Sequence, residues 1–100
     1  MKMGQDKMID LLWRLGIGPR MAGFRYIIRS VEAASSGVDI TPDLLHLVAD
    51  EFGVSFPYVY SAMKKAKEHA MGYRMEEYKH IMRGYGDTLY DFLYALSRQI

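Results

Sequence analysis

Apolar residues recur along this chain at intervals of three and four, and glycine, proline and serine interrupt them at regular distances. Met8, Leu11, Leu12 and Leu15 make a first stripe at i, i+3, i+4 and i+7, one face of a helix, which Gly16 and Gly18-Pro19 stop. Phe24, Ile27, Ile28 and Val31 make a second, with Arg25, Arg29 and Glu32 opposite, and Ser35-Ser36-Gly37 ends it. Thr41-Pro42-Asp43 predicts a helix start: a capping hydroxyl, a proline in the first turn and an acid at the positive end of the dipole. This third helix is expected to run to Phe52 and to bury Leu45, Val48, Ala49 and Phe52. A fourth opens at Ser55 and carries Val59, Ala62, Met63, Ala66 and Ala70 on one side. A fifth spans about Met75 to Arg83 and stops at Gly84-Tyr85-Gly86, and Asp87 or Thr88 opens a sixth with Leu89, Phe92, Leu93 and Leu96 inward. No useful stretch alternates with period two, so residues 1–100 are expected to form one compact all-α domain of six helices, without linker or repeat.

Within this plan, residues 41–70 have the spacing of a DNA-binding helix-turn-helix. Two helices joined by a short turn cross steeply only if the contact residue is small and the turn residue tolerates a left-handed backbone. Ala49 and Gly53, four residues apart, meet those needs; Val54 plugs the corner and Ser55 caps the next helix. The core stripe of the fourth helix turns Pro57, Ser61, Lys64 and Glu68 outward, flanked by Tyr60 and Lys65. In a helix-turn-helix the N-terminal part of the second helix enters the major groove. The expected interface is therefore Ser55, Phe56, Pro57, Tyr58, Tyr60, Ser61, Lys64, Lys65 and Lys67. Tyr60 and Ser61 offer hydroxyls to bases or phosphates, Phe56 an apolar face to a thymine methyl, and the three lysines charge to the backbone. The set holds no Arg, Asn or Gln, the residues that read a base edge through two hydrogen bonds, and Asp43, Asp50 and Glu51 oppose phosphate along part of the preceding helix.

Composition sharpens this only where it is uneven. The net charge is +1, but residues 14–29 hold four arginines and no acid, and residues 39–51 hold four acids and no Lys or Arg. Such separation leaves local basic surfaces on a nearly neutral molecule. Cysteine is absent, which excludes disulfides and thiolate metal sites. No apolar run approaches the roughly 20 residues needed to span a bilayer, and Asp6, Asp10 and Arg14 interrupt the N-terminal stretch as a secretory segment, so no membrane role and a cytoplasmic location are expected.

Catalytic chemistry finds little footing. His46, His69 and His80 never share a helical turn, Glu76 and Glu77 diverge on a helix, and the glycines of LGIGPRMAG have neither a preceding strand nor a lysine-hydroxyl ending. No enzyme activity, metal, cofactor or small-molecule substrate is expected.

Three stretches carry a family likeness: LGIGPRMAGFRYIIRSVE, through Gly23, Phe24 and Tyr26; VADEFGVSFPYVYSAMKKAKEHAM, through Ala49, Phe52, Val59, Ala62, Ala66, Glu68 and Ala70; and the ending DTLYDFLYALSRQI. Together they make the chain resemble the C-terminal effector domain of the sporulation initiation response regulator family (stage 0 sporulation protein A). The resemblance implies a six-helix DNA-binding domain that controls transcription in sporulation. Where the family places arginines and a glutamate for base reading, this chain has Tyr58, Tyr60 and Ser61, and the family's receiver domain has no counterpart here. The expected partner is double-stranded DNA, with a second copy or a related regulator as protein partner. The alternative is a helical protein-interaction module that has lost sequence-specific DNA binding, which the eight tyrosines favour.

Overall fold

A computed structural model describes residues 2–100, with side chains from residue 6 onward. Six helices account for its regular structure: α1 (Lys2–Arg14), α2 (Gly23–Ser35), α3 (Pro42–Phe52), α4 (Phe56–Tyr73), α5 (Met75–Met82) and α6 (Leu89–Ser97). Among the described residues there is no strand, and the fold is all-α. A Cα radius of gyration of 12.2 Å matches the roughly 13 Å of a single folded body of 100 residues.

The helix ends follow from local chemistry. Gly53 follows α3 at φ +68°, and its N–H reaches the Asp50 carbonyl at 3.2 Å while the Val54 N–H reaches that of Ala49 at 3.0 Å. This paired arrangement satisfies carbonyls that the helix leaves open, and it needs one left-handed residue, which glycine adopts without strain. The same pair of bonds closes α1 at Gly16-Ile17 and α2 at Gly37-Val38. Ser55 caps α4 by accepting from the Tyr58 N–H at 3.3 Å. Thr88 caps α6: its Oγ1 accepts from the Asp91 N–H, while the Asp91 carboxylate accepts from the Thr88 N–H. Thr41 departs from expectation. It precedes Pro42 in extended backbone, but its hydroxyl makes no capping bond, so proline and Asp43 mark that end unaided.

Helix α2 is the hub, packing against α1, α3, α4 and α6, while α4 packs against α2, α3, α5 and α6. The two meet at Gly23, where an added Cβ would lie 2.5 Å from the Ala62 carbonyl oxygen and 3.0 Å from the Met63 Cα. Backbone therefore touches backbone here, and glycine is required for space. Every residue of the four expected stripes on α1, α2, α4 and α6 is buried. On α3 the buried set is Leu44, Leu45, Val48 and Ala49. Leu44 joins the core because α3 is wedged between α2 and α4 and buries a broad face. Phe52, expected inside, is only partly buried, with Tyr26 edge-on at 5.0 Å.

Candidate nucleic-acid interface

The α3–α4 connection is the three residues Gly53, Val54 and Ser55. An added Cβ on Gly53 would meet no atom within 4 Å, so this glycine serves a backbone angle and not a close contact. Ala49 is buried as expected, and the glycine that lies tight against backbone is Gly23 of α2, at Ala62 of α4.

The first turns of α4 stand against solvent on one side. Ser55, Pro57, Tyr58, Ser61, Lys64 and Lys65 are exposed, and behind them Val59, Ala62 and Met63 are buried. Tyr58 is 49% exposed and meets Tyr26 of α2 edge-on at 6.1 Å. Phe56 and Tyr60 are less free than expected. The Phe56 ring lies nearly flat on His46 of α3, 4.3 Å between centres, and Tyr60 sits between Phe56 at 6.1 Å and Tyr90 of α6 at 6.2 Å. This row of rings spans three helices, and burial followed by the neighbouring Tyr60 raises the Tyr90 hydroxyl above its ordinary pKa.

Lys67 corrects the expected site. It is 6% exposed, turned away from Lys64 and Lys65 toward α5 and the loop before α6. Its ammonium donates to the Met71 thioether at 3.5 Å, stands 3.6 Å from an Asp87 carboxylate oxygen and lies 5.8 Å from the centre of the Tyr78 ring. The Tyr78 hydroxyl donates to the same Asp87 oxygen at 3.3 Å. Burial first, then the Asp87 charge, pushes the Tyr78 hydroxyl up to about 12. The cause of Lys67's burial is its register: Met63, Lys67 and Ala70 fall at i, i+4 and i+7, on the rim of the core stripe. A lysine stem can lie along apolar surface there while its head finds the carboxylate. From this position it cannot reach a phosphate facing Lys64.

The charges around α4 are unevenly free. Asp43 and Asp50 are exposed on α3, with His46 and the 55% exposed Leu47 between them. Arg29 of α2 holds Glu51 through two hydrogen bonds of 2.7 and 2.9 Å, which set the Glu51 carboxyl below its ordinary pKa and raise the guanidinium. Arg25 lies over the Phe52 ring, 5.4 Å from its centre. Away from this surface, Trp13 (58% exposed) lines a groove of ≈ 610 Å³ with Lys7, Asp10, Leu11, Arg14, Gln99 and Ile100. His46, His69 and His80 lie on three different helices, the first two against Phe56 and Tyr73. No helix among the described residues is long and apolar enough to cross a membrane.

The structure thus brings together Ser55, Pro57, Tyr58, Ser61, Lys64 and Lys65, half-covers Phe56 and Tyr60, and removes Lys67. Sequence reasoning missed Arg25 as a member of this neighbourhood. The signal for it was the Arg25–Phe52 pairing across two helices, which no local spacing encodes. No family model, no curated protein and no solved structure matches the chain.

Proposed function

We propose that α3, the Gly53-Val54-Ser55 turn and α4 act as a DNA-binding helix-turn-helix, and that the protein regulates transcription as a domain of the sporulation-effector type. One observation carries this reading: the N-terminal half of α4 presents Pro57, Tyr58, Ser61, Lys64 and Lys65 on a single exposed face while Gly23 and Ala62 seat its back on α2. A helix held in this way can enter a major groove by its first turns, with lysines following toward the backbone. Hydroxyls in place of arginines make base discrimination weak, since a hydroxyl has one donor and no fork. Affinity then comes mainly from phosphates, and it falls with salt.

The test is binding of a labelled random-sequence duplex at increasing salt. Lys64→Ala and Lys65→Ala are each expected to weaken binding and to reduce the slope of log K against log salt by about 0.9. Absence of salt-dependent binding by the parent chain would exclude the reading. The protein-interaction module would then stand, supported by Trp13, Tyr73, Met75 and Tyr94, all exposed by 47% or more.

A further inference from the structure

Of the arginines between residues 14 and 29, Arg29 is neutralised by Glu51. Arg25, one turn earlier on α2, is exposed and has no carboxylate within ion-pair distance among the described residues. Its guanidinium carbon lies over the ring of Phe52, the last residue of α3, 5.4 Å from its centre. Phe52 meets Tyr26 edge-on, and Tyr26 meets Tyr58 edge-on. Arg25 is thus carried on a run of rings that ends at the exposed first turn of α4. A ring beneath a guanidinium takes up none of its five donors as a hydrogen-bond acceptor would, so they remain open to an oxyanion. Resting on a ring also restricts the long side chain before any partner arrives, so less freedom is lost on binding.

We infer that Arg25 is the backbone-phosphate contact on the α2 side of α4, the role that the lysine run suggested for Lys67. The inference rests on the DNA-binding reading of α4. A helix in a major groove about 12 Å wide has a phosphate strand on either side of it. Lys64 and Lys65 lie on the later turns of the exposed face of α4, and beside its first turn, where Tyr58 meets Tyr26 of α2, the ring run carries Arg25, a cation with no carboxylate within ion-pair distance among the described residues. A guanidinium can give two parallel hydrogen bonds to a phosphate, which fixes the orientation of the domain on the duplex without reading sequence.

The experiment is fluorescence anisotropy with a labelled random-sequence duplex between about 50 and 200 mM salt. Arg25→Gln and Arg25→Met are expected to weaken binding to every sequence tested and to lower the salt slope by about 0.9. Arg25→Lys keeps the slope but binds more weakly, because it loses the fork. Lys67→Met leaves the slope unchanged. Thermal melts of each variant establish that the fold persists, and Arg25→Met, which keeps an apolar stem over Phe52, serves if Arg25→Gln does not fold. A parental slope in the Arg25 variants overturns the assignment and leaves the DNA reading intact. A slope lost in Lys67→Met also overturns it, and no salt-dependent binding by the parent chain overturns both.

Discussion

Lys65 and Lys67 stand two residues apart on α4, one exposed and the other 6% exposed. They divide the helix into two regions with opposite tasks. The first half turns its polar residues outward, and its apolar back rests on Gly23 of α2. In the second half, α5 and the Gly84–Asp87 loop come alongside, so a cation on the rim of the core stripe is drawn into a contact with Asp87 and Tyr78. Charge on a helix therefore cannot be assigned to a surface by residue type alone. Register relative to the buried stripe, and the element that next packs alongside, decide between them.

The largest effect is expected from unseating the outward half. Gly23→Val places two methyl groups where even a Cβ would meet the Ala62 carbonyl at 2.5 Å. A cost of about 3 kcal/mol or more is expected from overpacking against backbone. For a domain of this size that is a fall of more than about 12 °C in Tm, read by circular dichroism. Gly53→Ala meets no atom within 4 Å and should cost only the left-handed backbone penalty, about 1–2 kcal/mol. Equal costs would show that α2 and α4 part easily.

A smaller effect separates the two partners of the Lys67–Asp87 contact. Asp87→Ala leaves the Lys67 ammonium buried with a thioether as its hydrogen-bond acceptor, and about 1 kcal/mol of destabilisation is expected; the exposure of Asp87 keeps the value low. Lys67→Met conserves volume and leaves Asp87 in solvent, so its stability should stay within about 1 kcal/mol of the parent or rise. Urea titration measures both. If Lys67→Met proves the more costly, the ammonium is stabilising where it lies, and the second half of α4 depends on its charge.

The smallest effect is a matter of pH. The Tyr78 hydroxyl is raised in the folded protein, so its contribution is fully present below the ordinary tyrosine value near 10 and is lost as pH climbs from there toward about 12. Followed by tyrosinate absorbance, one late-titrating tyrosine should vanish in Tyr78→Phe and move earlier in Asp87→Ala. No change in either variant would remove Tyr78 and Asp87 from the network around Lys67.

The parts of this molecule legible in the sequence are those set by neighbours along the chain. Leu11, Ile27, Val59 and Phe92 announce the buried faces by helical period, and Gly53-Val54-Ser55 announces a stop and a start within three residues. Pro57, Ser61, Lys64, Lys65 and Glu68 could be placed outward because the α4 stripe is clear. The features that escaped are contacts between distant segments. Gly23 against Ala62, Phe52 left half-covered beside Arg25, and His46 lying flat on Phe56 each join different helices, and no local pattern carries them. Lys67 falls between the two cases: its register was visible, but the carboxylate that makes burial tolerable comes from a loop twenty residues later.

In the language of sequence variation, the glycines at 23 and 53 are different letters. Position 53 asks only for a left-handed backbone, so asparagine or aspartate can stand there in a divergent relative. Position 23 asks for empty space beside residue 62, so no side chain substitutes for its hydrogen unless α4 shifts outward. Change at 23 is therefore tied to change along the Ala62–Met63 segment, whereas change at 53 is free of both. A distant relative of this chain would be recognised less by its charged residues than by a small residue 39 positions before the α4 residue it packs against, Ala62.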